Sequence, residues 1–404
     1  MMLLWLVVIL VAAKLGGEVA TRLGQPAVLG ELCIGVVLGN LTHVGFSALA
    51  PITHDQFIDM LSQLGVLLLL FEVGLESTVK EMLTVGWSSL LVAVFGVVTP
   101  FALGWGFAAW LIPEQGPYVH AFIGATLTAT SVGITARVLK ELGQSTSNEA
   151  RVILGAAVLD DVLGLVILAA VTGIVASADH GGGFELSAIA VTLIKALAFL
   201  VLSPVVGVVI APRLFGLASR ARAPGVLLSA SLALCFLFAW AAQVVELAPI
   251  VGAFAAGLVL EETHTQDFVN KGELPLETLM RPITTFLVPI FFVLVGMRTD
   301  LHMLGQPTAI GLSAALVVIA IAGKLVAGLG VIGKGVDRLT VGIGMIPRGE
   351  VGLIFANTGL SLHIGGKAIV DSEVFSAIVL AVIATTMVTP PALKWSIFTR
   401  LKKR

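Results

Sequence analysis

Charge is what this sequence has least of. Aspartate, glutamate, lysine and arginine supply 12% of its 404 residues, about half the share of a soluble domain, and the mean hydropathy is +1.05. So few charged groups cannot cover a water-exposed surface, which excludes a soluble enzyme or a nucleic-acid binder. Cysteine is scarce too. Cys33 and Cys235 fall in different apolar runs without metal-like spacing, which argues against a disulfide framework or a zinc site. There is no Walker loop, no HExxH and no GxSxG on a strand-to-helix turn. The seven histidines, His43, His54, His120, His180, His264, His302 and His363, are scattered. Neither an enzyme nor a bound cofactor is expected. The start lacks a basic n-region and a small-residue cleavage site before Lys14 and Glu18, so it reads as a first span and not a removable signal.

Apolar runs are what the chain has in abundance. Windows of about 20 residues give about thirteen candidate spans, centred near Val11, Ile34, Leu67, Val97, Thr130, Asp160, Leu197, Leu234, Ala255, Pro289, Val317, Gly352 and Val382. They predict an all-α polytopic membrane protein, with residues 1–404 forming one membrane domain. Alternate loops differ in basic content. One set carries Arg22, Lys80, Arg137, Lys140, Arg151, Arg213, Arg220, Arg222, Lys271, Arg281, Lys334 and Arg338, and the tail adds Lys394, Arg400, Lys402, Lys403 and Arg404; the other set has Arg298 and Lys367. Because cytoplasmic loops are enriched in Lys and Arg, the N-terminus is expected outside and the C-terminus in the cytoplasm. The basic tail reads as the last inside anchor, with a lipid sensor as the alternative.

The two halves resemble each other. A shift of 222 positions puts Gly30 on Gly252, Gly35 on Gly257 and Val73–Leu75 on Val295–Met297, and a shift of 219 puts Val132-Gly133 on Val351-Gly352. With a linking span near Leu197, corresponding spans start on opposite sides of the membrane. Such inverted repeats are expected for alternating access about a midplane site; chance likeness among Gly-rich apolar segments is the alternative.

Against this background the few intramembrane charges stand out. In LGAAVLDDVLGL, Leu154–Leu165, Asp160 and Asp161 sit side by side in a long apolar run. An Asp near the middle of a membrane helix costs about 2.5–3.5 kcal/mol on insertion scales, so the pair needs a water-filled cavity or an internal partner. A structural pair bonded to neighbouring helices, or reaching water at a helix end, is the alternative. Lys324, in AIAGKLVAGLG, also needs a partner. The acidic pair offers one, and snorkelling to an interface is the other reading.

The fifth span, Gly124–Leu139, concentrates Thr126, Thr128, Thr130, Ser131 and Thr135, and the twelfth, Gly342–Gly359, carries Pro347, Arg348, Gly349, Glu350 and Asn357. Proline removes an amide donor, Gly permits unusual dihedrals, and hydroxyls satisfy freed backbone groups, so both spans are expected to be interrupted. The exposed helix ends carry about half an electron of charge, which Arg348 and Glu350 would compensate unless they pair with each other. Helix packing by small polar residues is the alternative for the Thr and Ser cluster. Glu72 is a candidate to line the ion path or bond the fifth or twelfth span, whereas Glu31 and Glu246 are expected near helix ends in water. Lys14 and Lys195 read as interfacial or inter-helix residues.

Two adjacent carboxylates cannot both ionise without cost, so a proton or a cation can occupy the site. Carboxylate, hydroxyl and carbonyl oxygens suit a dehydrated Na+, and Lys324 would compete for Asp160 when the cation is absent.

Taken together, VLDDVLG at Val158–Gly164, TATSVGITARVL at Thr128–Leu139, Gly323-Lys324 and GMIPRGEVGLI at Gly344–Ile354 resemble the NapA-type sodium/proton antiporters of the monovalent cation/proton antiporter superfamily, close to the Kef-type potassium systems. The resemblance covers the whole chain. It implies an NhaA/NapA-like fold of two inverted six-helix repeats with crossed broken helices, in a homodimer of the bacterial inner membrane that serves pH homeostasis. A dimerisation scaffold would come from 1–80 and 225–300, an ion-translocating core from 86–178 and 305–396, and a linker helix from 185–212. Asp161 would be the main cation ligand, Asp160 would pair with Lys324, Thr130 and Ser131 would add oxygens, and Arg348, Glu350 and Glu72 would support the crossing. Asp at 160, where electroneutral relatives carry Asn, implies electrogenic exchange of two H+ for one Na+ or Li+ by elevator-like alternating access. K+/H+ exchange, a gated cation channel and a sodium-coupled symporter stay open as alternatives.

Overall fold

A computed structural model describes residues 2–401 except 42–44, 46, 77–78, 181–185, 222, 224, 246, 261–267, 271, 299–306, 334, 349–351, 353–354, 356–358, 360–362 and 365–366. The first half holds α1 (Met2–Arg22), α2 (Ala27–Asn40), α3 (Gln56–Leu75), α4 (Val79–Thr84), α5 (Gly86–Leu111), α6 (Pro117–Thr126), α7 (Val132–Glu141) and α8 (Asn148–His180). After α9 (Leu186–Ala218) come α10 (Val226–Val244), α11 (Pro249–Val259), α12 (Leu276–Met297), α13 (Pro307–Ala327), α14 (Arg338–Gly344) and α15 (Ser372–Leu401). A two-residue antiparallel ladder pairs His363–Ile364 with Lys367–Ala368 ahead of α15.

Among the described residues, eight helices are long and apolar enough to cross a bilayer: α1, α3, α5, the part of α9 over Leu197–Ala218, α10, α12, most of α13 and most of α15. Shorter apolar helices, α2 and α11, lie among them. Of the centres expected from sequence, Thr130 falls between α6 and α7, and Gly352 lies where most neighbours are outside the described residues. Local chemistry sets several helix starts. Asp55 caps α3 by accepting the N–H groups of Phe57 and Ile58, Asp337 does the same for Leu339 and Thr340 on α14, and Pro117 and Pro249 open α6 and α11 where no intrahelical donor is needed.

The helices pack in two groups. In one, α1 lies on α2, α2 and α3 lie on α12, α3 lies on α11, and α11 lies on α10. In the other, α5 contacts α6, α8 and α13, and α13 and α14 contact α15. α7 touches both groups, through α2 and α3 on one side and α8 and α15 on the other.

Glycine sets the closest approaches in the first group, and it does so in matched fashion. A Cβ on Gly35 of α2 would lie 2.3 Å from the Val293 carbonyl oxygen on α12, with Gly296 opposite; a Cβ on Gly257 of α11 would lie 2.3 Å from the Phe71 carbonyl oxygen on α3, with Gly74 opposite. The shift of 222 positions that carries Gly35 to Gly257 also carries Gly74 to Gly296. Each pair therefore joins one helix from each half of the chain, with the halves exchanged.

Candidate ion site

Asp160 and Lys324 meet where α8 and α13 pass α5. Lys324 Nζ donates to Asp160 Oδ1 at 3.1 Å and Oδ2 at 3.3 Å, and neither side chain is exposed at all. Either charge alone in that setting would cost several kcal/mol, about what the pairing recovers. Asp161 follows on α8 and points about 100° away around the helix; it is 9% exposed against 1% for Asp160. The two carboxylates thus differ in role by position, one locked to a lysine and one more accessible. Gly96 of α5 closes another side, where a Cβ would sit 3.6 Å from both Asp160 Oδ1 and Lys324 Nζ.

Two unwound segments cross beside this pair. The chain leaves helical geometry between α6 and α7, where Leu127–Ser131 separate them, and again after α14, through Met345–Arg348. Each segment satisfies the carbonyls the other leaves open. The Ser131 N–H donates to the Pro347 carbonyl at 2.7 Å, the Thr135 hydroxyl to the Gly344 carbonyl at 2.7 Å, and the Thr130 hydroxyl to the Met345 carbonyl at 3.3 Å. In return the fully buried Arg348 donates from Nη2 to the Leu127 carbonyl at 2.5 Å, just past the carboxyl end of α6, and from Nη1 to the Ile346 carbonyl at 3.3 Å. A cation there offsets the partial negative charge of a helix end, and Thr386 holds the Arg348 carbonyl by its hydroxyl. Ser131 is buried at the crossing. Glu350 and Asn357 lie outside the described residues, as does Glu246.

Glu72 meets the half-helix α7 and not the acidic pair. Its Oε2 lies 2.5 Å from Lys140 Nζ, with Glu76 at 3.8 Å. Arg137, one turn earlier on α7, pairs with Glu141 at 2.7 Å and with Glu31 of α2 at 3.5 Å. Glu31, expected in water at a helix end, is instead 3% exposed. Arg137 on α7, 106 positions away in sequence, packs over it and shields it from water. These charges border a cavity of about 370 Å³ that Glu72, Glu76, Arg137, Lys140, Glu277 and Arg281 help line. Arg137, Lys140 and Glu141 were missed as inter-helix residues, although three charges within five positions just past a break are a usable signal. Gly96 gave no signal of its own.

The profile of the transmembrane sodium/hydrogen exchanger family matches residues 6–398. The chain belongs to that family. Among similar exchangers, the high-affinity Na(+)/H(+) antiporter NhaS3 of Synechocystis sp. is 40% identical, over 99% of this chain and 90% of its own length. The Na(+)/H(+)-K(+) antiporter GerN of Bacillus cereus is 36% identical, over 96% of this chain and 94% of its own. The sodium proton antiporter MjNhaP1 of Methanocaldococcus jannaschii superposes with a TM-score of 0.66 at 15% identity, over 98% of this chain and 97% of its own, which places this exchanger in the same all-α membrane fold.

Proposed function

We propose that this exchanger is a secondary antiporter that carries Na+ or Li+ against H+ by alternating access, with Asp160, Asp161 and Lys324 as its coupling groups. The observation that carries the reading is the Asp160–Lys324 pair, wholly buried beside a more accessible carboxylate. Thr130 and Ser131, at the crossing, are the neighbouring oxygen donors.

Charge accounting gives the stoichiometry. Without cation, Asp160 is ionised against the Lys324 ammonium and Asp161 holds a proton, so the three groups are neutral together. Na+ takes oxygens of Asp161 and Asp160. The Asp161 proton leaves, and Lys324, deprived of its counter-charge, gives up one ammonium proton. One Na+ in for two H+ out leaves a net charge of minus one, so the exchange is electrogenic. Protons and Na+ compete for the same oxygens, which makes each drive release of the other.

In this reading α5–α8 and α13–α15, which contain most of 86–178 and 305–396, form a core that moves like an elevator against a dimerisation scaffold from 1–80 and 225–300, with α9, which spans most of 185–212, as linker. The exchanged glycine contacts support two inverted repeats in about thirteen spans. The protein is a homodimer of the bacterial inner membrane, N-terminus outside, of the NapA-like, Kef-related kind. K+/H+ exchange is the second reading, favoured by the K(+) in the name of GerN.

The test is purified protein in liposomes with a trapped pH dye and an imposed pH gradient. Na+ and Li+, but not K+, should release protons, and Asp161→Asn should abolish the response. A K+ response would move the substrate to the second reading, and silence toward every cation between acid and alkaline pH would overturn antiport.

A further inference from the structure

α5 carries a proline in its interior, Pro100, buried like Gly96 four residues before it. Proline has no N–H, so the carbonyl of the residue four positions back, Gly96, loses its helical donor. In the apolar interior no water replaces it, and a freed carbonyl there needs another donor. The surroundings supply one. Gly96 faces Lys324, whose Nζ would stand 3.6 Å from a Cβ at that position, and Pro100 packs on Gly323, the residue before Lys324, where a Cβ would lie 2.9 Å from the Pro100 Cα. The Gly96 carbonyl, which has lost its i+4 donor, and the donor-rich Lys324 side chain thus lie along the same stretch where α5 meets α13. In the structure Lys324 spends its donors on both oxygens of Asp160.

The exchange cycle proposed above must break that pairing, because the cation needs Asp160. Lys324 is then a neutral amine with two N–H donors at a position buried within the helices. Left without an acceptor, those donors would penalise the cation-loaded state.

We propose that the Gly96 carbonyl, freed by Pro100, receives Lys324 Nζ when a cation displaces it from Asp160. This makes Gly96 and Pro100 positioning residues of the exchange, acting through Lys324. The inference rests on the antiport reading.

Pro100→Ala and Pro100→Gly each return an N–H to α5, which reclaims the Gly96 carbonyl, and each replaces proline with a smaller residue. Pro204→Ala makes the same repair in α9 and controls for stiffening a helix. In proteoliposomes at fixed pH, both Pro100 variants should raise KM for Na+ by about threefold to tenfold, the loss of one hydrogen bond, with the maximal rate within about twofold of wild type. Purified Pro100→Ala should also show a smaller rise of its melting temperature with added Na+. A proline that only shapes α5 would lower the maximal rate and the melting temperature and leave KM in place; that result, or a KM shift no larger than that of Pro204→Ala, overturns the proposal. A wild type that moves no protons on cation addition overturns the antiport reading instead.

Discussion

At the scale of single residues, the buried Asp160–Lys324 pair would, under the proposed exchange, join stability to transport. Lys324→Met would leave a buried carboxylate without its counter-charge and should cost about 3–5 kcal/mol, read as a lower melting temperature in detergent. The Asp160→Asn, Lys324→Met double variant should recover most of that loss while remaining unable to exchange, because neither charge is then stranded. Failure of the double variant to recover would assign the cost to lost packing. If protons compete with the cation as proposed, KM for Na+ should rise as pH falls in the wild type. The same scale shows why some residues were legible in the sequence and others were not. Asp160, Asp161 and Lys324 interrupt apolar runs, and each such charge needs an explanation wherever it lies in the fold. Glu31 looked like a helix-end residue in water because Arg137, which covers it, is distant in sequence. Gly96 could not be singled out, since its importance lies in a missing side chain and a carbonyl that Pro100 releases.

The breaks belong to the scale of the element. Hydroxyls, proline and glycine in the fifth and twelfth spans predicted interruption, and the described breaks at Leu127–Ser131 and Met345–Arg348 fall inside those stretches. Their mutual satisfaction was not legible, because which carbonyl meets which hydroxyl depends on how the segments cross. Thr135→Val keeps the side-chain shape but removes the donor to the Gly344 carbonyl, and should lower stability by about 1–3 kcal/mol in thermal unfolding. The half-helix α7 gives a second test. Its Lys140 bonds Glu72 on α3, across the boundary between the helix groups, so under the elevator reading the contact breaks in every cycle. Glu72→Gln should raise the maximal rate of dequenching with KM for Na+ within about twofold, and Glu72→Lys with Lys140→Glu should return the rate toward wild type. A Glu72→Gln rate equal to or below that of wild type would mean that the contact does not oppose the motion.

For the whole molecule, the proposed exchange of two protons per Na+ would make membrane voltage a driving force. With equal pH and equal Na+ on both sides, an imposed potential should drive net Na+ flux in a direction set by its sign; a one-for-one exchanger would show none. The all-α membrane class was legible in composition and in apolar runs of helix-spanning length, whereas the grouping of the helices came only with the structure. The exchange of glycine contacts between halves also has a consequence in time. α2 and α3 are finished early, yet the glycine faces they present are covered by α12 and α11, where Gly296 follows Gly35 by 261 positions and Gly257 follows Gly74 by 183. At about 5–20 residues per second, the ribosome needs roughly 10–50 seconds to supply them, and during that interval the newly made helices must keep open the surfaces their late counterparts will fill.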